Sequence, residues 1–234
     1  GTALGTVLVA DLAAGDLGLN YEYQHPSPFF RGKSAVALDE QLLFMANAGA
    51  GQSLWSTDGT PAGTAVLAAA TAFGGNTGIG VLGGVAYFLE GASSDLWKSD
   101  GTSSGTLLAV HNSATLDFGG EGPFVRAGQR LYFDAGVDLG TGIDLGLLTT
   151  DGTVAGSSGL LPEADTEYRT ALGNRLVFAH RDATHGYEPW ITDGTIAGTA
   201  LLADVLPGLS SSAPQSFTEL GDALFFAADD GTHG

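Results

Sequence analysis

Residues 192–199, Thr-Asp-Gly-Thr-Ile-Ala-Gly-Thr, contain the phrase that decides the fold. The pattern Ser/Thr-Asp-Gly-Thr-x-x-Gly-Thr/Ser also begins at Thr57, Ser99 and Thr150, and a severed copy opens the chain at Gly1. Successive complete copies lie 42, 51 and 42 residues apart. A recurrence of this length is typical of tandem supersecondary units. The sequence therefore predicts a single domain over 1–234 that is built from repeats, with approximate bounds 1–58, 59–100, 101–151, 152–193 and 194–234.

Each repeat carries two apolar markers. Trp55, Trp97 and Trp190 stand three residues before the aspartate of the phrase, and Leu148 takes that place in the remaining copy. A phenylalanine also closes a short apolar run in every repeat: Phe44, Phe88, Phe133, Phe178 and Phe226. We expect these phenylalanines to be buried in the core.

The fourth repeat shows most clearly how a unit divides into four strands, named a to d. The predicted strands are Glu167–Leu172, Arg175–His180, Glu188–Thr192 and 199–205. Their apolar residues are almost continuous, which suits strands covered on both faces, and Gly, Asp and Asn separate them. The pairs at 83–84, 173–174 and 221–222 contain glycine, which tolerates the positive φ of a two-residue hairpin.

Four short strands per repeat predict an all-β fold, a β-propeller of about five four-stranded antiparallel blades. A β-solenoid is the alternative, but solenoid coils repeat at shorter spacing. Nineteen strands can be marked: a first strand d, four complete sets, and a final a and b. The terminal blade is thus incomplete, and we expect the chain to be a fragment of a longer protein, either a larger ring or a multi-propeller protein.

The composition excludes several classes of binding partner and of chemical site. The chain has 26 acidic and 8 basic residues, a net charge of −18, so its field repels phosphate backbones and anionic lipid headgroups. We therefore expect no nucleic acid partner. We also expect no membrane insertion, because the sequence contains no run of about 18 apolar residues. The absence of cysteine excludes disulfides, thiolate catalysis and Cys-based metal sites.

The repeated aspartates invite two interpretations: Asp58, Asp100, Asp151 and Asp193. An aspartate in this context can accept backbone N–H bonds two residues on, which is turn chemistry. They could instead be calcium ligands, but each phrase offers one carboxylate, whereas Ca²⁺ takes several oxygen ligands. We expect structural turns and no cofactor, with Ca²⁺ as the alternative.

The phrase and its flanks resemble a known repeat family. Ser-Leu-Trp-Ser-Thr-Asp-Gly-Thr at 53–60, Asp-Leu-Trp-Lys-Ser-Asp-Gly-Thr at 95–102 and Glu-Pro-Trp-Ile-Thr-Asp-Gly-Thr at 188–195 are similar to the ELWxxDGT-type tandem repeats of bacterial secreted and surface proteins. The resemblance implies an extracellular or cell-surface scaffold and no particular reaction. Leu148, Ser157 and Pro189 depart from the pattern.

Loop variation indicates where a ligand would bind. The Asp-Gly-Thr phrase, which links strand c to strand d, keeps its length, whereas the b-to-c and d-to-a links vary in length. In a four-stranded meander both variable links lie at the end of the blade opposite to the Asp-Gly-Thr turns. Candidate ligand residues in these links are Tyr21, Tyr23, His25, Phe29, Phe30, Asp182, His185, Glu188, Asp229, Asp230 and His233. The aromatic residues could instead cover a blade edge, and the histidines could bond the local backbone.

Two functions are compatible with these features. The first is a non-enzymatic recognition or adhesion propeller that binds a glycan or surface protein through the variable loops. The second is a carbohydrate-active hydrolase or lyase, because a propeller can place carboxylates around its channel. No paired carboxylates, Ser-His-Asp set or phosphate-cradling loop stands in a recognisable motif, so we favour recognition, with no catalytic residue assigned.

Overall fold

The computed structural model describes Val9 and residues 35–47, 52–73, 78–89, 95–111, 124–138, 143–161, 166–221 and 223–233. The first sheet contains β1 (Ala35–Leu38), β2 (Gln41–Asn47), β3 (Gln52–Thr57) and β4 (Ala65–Phe73). The second contains β5 (Ile79–Leu82), β6 (Val85–Leu89), β7 (Leu96–Ser99) and β8 (Leu107–Val110). The third contains β9 (Val125–Ala127), β10 (Arg130–Asp138), β11 (Ile143–Thr150) and β12 (Ser158–Leu161).

The fourth sheet contains β13 (Glu167–Leu172), β14 (Arg175–His180), β15 (Glu188–Thr192) and β16 (Ala200–Leu201). The fifth contains β17 (Gln215–Leu220) and β18 (Ala223–Ala227). Within each sheet the strands pair antiparallel in chain order. These eighteen strands correspond to the predicted four complete sets and the final a and b, while the predicted first strand d lies outside the described residues. No helix long and apolar enough to cross a bilayer occurs in the described part of the chain.

The sheets are arranged as successive blades around an axis. The first strand of each sheet contacts the first strand of the next, from β1 to β5, β9, β13 and β17. Strand a is therefore the innermost strand, as a radial arrangement requires. The molecule is an all-β protein with the blade architecture of a propeller, and its fifth sheet has two strands among the described residues.

The hydrophobic core lies between neighbouring blades. Each of its four clusters combines residues of two successive sheets, as where Leu43 of the first packs with Phe88 of the second. Because the second, third and fourth sheets are covered on both faces, their strands can be apolar almost without interruption. This explains why the sequence lacks the alternation of a strand with one solvated face.

The core phenylalanines follow the prediction in the middle blades only. Phe88, Phe133 and Phe178 are 0%, 4% and 0% exposed. Phe44 and Phe226 are only partly buried, so the prediction of full burial is wrong for them. They belong to the first and last described sheets, each of which has one neighbouring sheet in the described region.

One strand is shorter than predicted. The predicted strand at 199–205 is reduced to β16, Ala200–Leu201. Leu202 still donates its N–H to the Pro189 carbonyl at 2.8 Å, but Val205 donates to the Glu188 carboxylate at 2.9 Å. The chain therefore turns away from β15 soon after Leu201.

Candidate functional site

The four Asp-Gly-Thr phrases form one repeated turn. In the last copy, Asp193 Oδ1 accepts the backbone N–H of Thr195 at 2.9 Å and its hydroxyl at 2.7 Å. The Thr192 hydroxyl oxygen accepts the N–H of Gly194 at 3.0 Å and lies 2.7 Å from the hydroxyl of Thr199. The other three copies repeat this network. Every polar residue type that recurs in the phrase thus has a local structural task.

These hydrogen bonds also fix the charge state of the turns. The side-chain hydrogen bond from the threonine two residues on, followed by its backbone N–H, lowers the pKa of all four aspartates: Asp58, Asp100, Asp151 and Asp193. One carboxylate oxygen of each is already engaged. In the described part of the chain, no group of three or more His, Asp or Glu side chains is placed to hold a metal ion. Structural turns without a cofactor stay the prediction and calcium binding stays its alternative, which a fall in melting temperature on adding chelator would support.

The departures from the repeat keep its chemistry. Ser157 replaces a threonine, yet its hydroxyl donates to the Thr153 carbonyl at 2.6 Å and lies 2.7 Å from the Thr150 hydroxyl. Leu148 pairs with Phe133 across the third sheet, as Trp190 pairs with Phe178 in the fourth. The sequence differences therefore leave the turn and the strand register intact.

The variable links form the opposite end of the molecule, which we call the loop end and define by residues 181–187, 202–214 and 228–233. Gly186 donates its N–H to the Gly208 carbonyl at 3.1 Å, and Ser212 donates to the Tyr187 carbonyl at 3.1 Å. Asp229 then donates to the Ser212 carbonyl at 2.8 Å. The three links therefore hold one another in place between the fourth and fifth sheets.

Glu188 anchors this arrangement from the inside. Its side chain is buried, and its carboxylate accepts the N–H of Val205 at 2.9 Å and the N–H of Ser212 at 3.0 Å. The Ser212 hydroxyl donates to it at 2.7 Å. This placement corrects the expectation that Glu188 contacts a ligand, because a buried carboxylate that accepts three hydrogen bonds has a structural role.

The two Thr-His motifs form the same turn. Asp182 Oδ1 accepts the N–H groups of Thr184 and His185, each at 2.7 Å, and His185 Nδ1 lies 2.9 Å from that oxygen. Asp230 repeats this with the N–H of Thr232 at 2.8 Å and that of His233 at 2.6 Å. Asp229, predicted with them, accepts the N–H of Gly231 at 2.7 Å. All of these side chains form hydrogen bonds within their own loop, which is the structural alternative that the sequence left open.

Electrostatics follow this geometry. Burial alone would raise the pKa of Asp182, but the hydrogen bonds from Thr184 and His185 outweigh it and hold that pKa well below its usual range. The hydrogen bond to Asp182 raises the pKa of His185. In the second turn, the hydrogen bond from His233 is the first cause of the low pKa of Asp230. Each aspartate is therefore an anion held by its turn.

One group of the predicted ligand residues belongs to the first variable link. Its five candidate residues lie outside the described residues: Tyr21, Tyr23, His25, Phe29 and Phe30.

A cleft of about 140 Å³ opens at the loop end between the fourth and fifth sheets. Its lining residues are Glu167, Tyr168, Ala179, Tyr187, Ala213, Pro214 and Gln215. Tyr168 is 42% exposed, and the guanidinium carbon of Arg181 lies 5.6 Å from the ring centroid of Tyr187. The cleft is smaller than the roughly 300 to 1,000 Å³ of small-molecule pockets, so it would hold one ring or one end of a larger ligand.

Backbone strain is concentrated around this cleft. Tyr168, Ala213 and Ser216 have φ of 51°, 48° and 58°, a left-handed region that residues with a side chain seldom adopt. Tyr168 and Ser216 occupy equivalent bulges, where the pairing of β13 with β14 and of β17 with β18 shifts register. The innermost strands of the other three sheets pair without such a shift. Strain and bulges of this kind cluster at functional sites.

Sequence reasoning missed most of this cleft. Glu167 and Tyr168 lie within a strand predicted as part of an almost continuous apolar pattern, and neither Gln215 nor Tyr187 is among the candidates that the sequence indicates. A sequence signal was present, because the polar and charged residues at 167–170 interrupt an otherwise apolar pattern for strand a. The bulge that turns these residues toward the cleft has no glycine or proline to mark it.

No protein-family model and no curated protein match this chain. Solved structures match its fold. An oligogalacturonate lyase in complex with manganese is 13% identical with a TM-score of 0.53, over 85% of this chain and 58% of that one. An oligogalacturonate lyase from Vibrio parahaemolyticus is 13% identical with a TM-score of 0.49, over 81% of this chain and 54% of that one. TolB from Acinetobacter baumannii is 15% identical with a TM-score of 0.43, over 82% of this chain and 50% of that one.

The chain thus spans 50% to 58% of the length of these proteins. At such low identity the likeness concerns the fold alone. The fold and the strained cleft together define the class: a propeller-type all-β protein with a polar and aromatic cleft at its loop end.

Proposed function

We propose that this protein is a non-enzymatic recognition module that binds a glycan in the cleft between its fourth and fifth blades. The observation that carries the proposal is the juxtaposition of exposed Tyr168 with Tyr187, Glu167 and Gln215 around one cleft. An aromatic ring offers a flat apolar face to a sugar, while the carboxylate and carboxamide can hydrogen-bond its hydroxyls. A surface glycoprotein is a natural source of such a glycan.

The setting of this function follows from the repeat phrase. We infer that the protein belongs to the ELWxxDGT-type repeats and works outside the cell or at its surface, as the resemblance of the phrase implies. The acidic surface supports this setting, because it disfavours polyanionic partners such as nucleic acid. A propeller with fixed Asp turns at one end and variable links at the other is suited to display a binding surface.

The test is a glycan-binding screen with two matched variants. Asn tolerates the left-handed φ of residue 168, so Tyr168→Asn removes the ring with little added backbone strain. We expect this variant to lose at least about tenfold in affinity, equivalent to about 1.4 kcal/mol. Ile196→Asn is the control, since Ile196 is 70% exposed at the opposite end, and it should bind like the parent.

The enzymatic alternative is separated in the same experiment. Each glycan that binds is also incubated with the protein, and the products are separated to detect cleavage. Turnover of any of them would replace recognition by a hydrolase or lyase function. Equal loss of affinity in both variants would show that the cleft is not the binding site.

A further inference from the structure

The first and the last of the described sheets expose apolar faces of a kind that the other sheets bury. We propose that these two faces bind each other between copies of this chain, so that the fifth blade of one copy packs on the first blade of another, head to tail. The inference is independent of the proposed glycan function, because the cleft between the fourth and fifth blades takes no part in the contact. It rests on an interface that occurs four times among the described residues.

The interface between successive blades is built each time from the same two positions of strand b. The residue directly before the strand-b phenylalanine faces the following blade, and the phenylalanine itself faces the preceding blade, because side chains alternate along a strand. The four resulting pairs, one in each core cluster, are Leu43 with Phe88, Tyr87 with Phe133, Tyr132 with Phe178, and Val177 with Phe226. The position of a residue in strand b therefore indicates which neighbouring blade it faces.

The fifth blade exposes the side on which a following blade would pack. Phe225 directly precedes Phe226, so it is equivalent to the four residues that face a following blade. Those four are 0% to 6% exposed, whereas Phe225 is 56% exposed. Leu220 ends its strand a as Leu38 and Leu82 end theirs. It is 68% exposed, whereas those two are 4% and 5% exposed. We call the surface of Leu220 and Phe225 the fifth-blade face.

The first blade exposes the other half of the same interface. Phe44 is equivalent to the phenylalanines that face a preceding blade, yet it is only partly buried. Leu42 lies on the same face of the strand and is 43% exposed, whereas its equivalent Leu131 is 0% exposed. Trp55 pairs with Phe44 and stacks on it with 6.5 Å between ring centroids, and Val66 pairs with Trp55. We call the surface of Leu42, Phe44, Trp55 and Val66 the first-blade face.

A second copy supplies the complement of both faces. Phe225 and Leu42 are exposed in the same molecule, so one copy leaves both faces uncovered. The residues that define the two faces are all uncharged, and an exposed apolar patch on a protein commonly marks an interaction site. Because the two faces differ, the contact is heterologous. A pair of copies therefore still presents one face of each kind, and further copies can extend it or close it into a ring.

Sedimentation velocity of the chain over a range of micromolar concentrations measures this association. We expect dimers and larger species to appear as the concentration rises. Each copy carries a net charge of −18, so the copies repel each other at long range. Raising the salt from about 0.1 M to about 1 M should strengthen the contact, because the screening length falls from about 10 Å to about 3 Å. A chain that stays monomeric at every concentration and salt overturns the proposal.

Two aspartate substitutions test the two faces separately. Phe225→Asp and Leu42→Asp each place a charge in one face, and each variant alone should associate at least about tenfold more weakly than the parent. Both residues are exposed, so the variants should keep the circular dichroism spectrum of the parent. Ile196→Asp is the matched control, because it places the same charge on an apolar residue of an Asp-Gly-Thr turn that is 70% exposed. It should associate like the parent.

A mixture of the two variants separates the alternative contacts. Phe225→Asp keeps an intact first-blade face and Leu42→Asp keeps an intact fifth-blade face, so mixing them should give a one-to-one dimer that grows no further. If either variant alone still dimerises as strongly as the parent, the contact joins identical faces, which overturns the head-to-tail arrangement. If the chain is monomeric and both substitutions lower its melting temperature, the two faces meet within one copy, which also overturns the proposal.

Discussion

Arg169 of β13 donates from Nη2 to Oδ2 of Asp134 of β10 at 2.6 Å, across the interface of the third and fourth blades. The two side chains are 7% and 10% exposed. Asp134 and Ala179 occupy equivalent positions, because each directly follows the recurring phenylalanine of its strand b. Arg169 and Phe217 are also equivalent, because each lies at the same distance from the end of its strand, β13 or β17. The equivalent pair at the next interface, Ala179 with Phe217, is apolar and belongs to one core cluster. Among the described residues, the interface of the third and fourth blades therefore carries a buried ion pair where the next interface carries an apolar contact.

Breaking this ion pair should be costly. Asp134→Ala leaves a buried guanidinium without its partner, so we expect the free energy of unfolding to fall by about 3–5 kcal/mol. The double variant Asp134→Ala with Arg169→Phe copies the apolar pair of the next interface and should recover most of that loss. Urea denaturation of the two variants measures both effects. A double variant as unstable as Asp134→Ala would show that the interface cannot accept the apolar pair.

The turn glycines allow the contact between blades to be measured separately from backbone strain. Gly59 and Gly194 have nearly the same φ, 87° and 89°. A Cβ at Gly194 would collide with Arg130 of the preceding blade, whereas at Gly59 it meets no described neighbour within 4 Å. Gly59→Ala should cost about 1–2 kcal/mol for the left-handed conformation alone, and Gly194→Ala should cost clearly more. Equal losses in thermal unfolding would mean that blade packing does not constrain this glycine.

The core phenylalanines give a graded prediction. Phe178→Ala should reduce the free energy of unfolding by about 3–5 kcal/mol, because the side chain is fully buried and its removal leaves a cavity. Phe226 is only partly buried, so Phe226→Ala should cost less than half as much. Chemical denaturation of both variants tests the order. If Phe178→Ala left stability unchanged, the register of strand b inferred for this blade would be wrong.

The regular part of this fold is legible in the sequence because every signal in it is local. The Asp-Gly-Thr turn needs only residues within eight positions of one another, and the hairpin glycines Gly83 and Gly173 adopt the expected positive φ. The bounds of β13, β14 and β15 follow from the same local pattern. Because the phrase recurs, one correct interpretation of the turn applies to every copy of it.

The candidate site could not be read in this way, because it depends on contacts between distant segments. Glu188 resembles a ligand residue in sequence, but Ser212, 24 positions away, folds over it and buries it. Tyr168 resembles a core residue, but a one-residue bulge brings it to the cleft. The path of residues 202–214 determines that Glu188 is buried and that Tyr168 lines the cleft. The sequence offers no periodic signal for that path.

The turn of Asp182 and His185 should make stability depend on pH in two directions. The folded state raises the pKa of His185 above its ordinary value of 6.5, so this contribution is full below 6.5 and is lost as the pH rises through the raised pKa. The folded state lowers the pKa of Asp182, so its contribution is full above 3.8 and is lost as the pH falls toward the lowered pKa. The stabilisation should therefore be largest between these two ordinary values. Asp182→Asn should flatten this dependence of stability on pH. An NMR titration of that variant should show the pKa of His185 falling toward 6.5, and the His185→Asn variant identifies which signal belongs to His185. An unchanged His185 titration in Asp182→Asn would mean that this hydrogen bond does not form in solution.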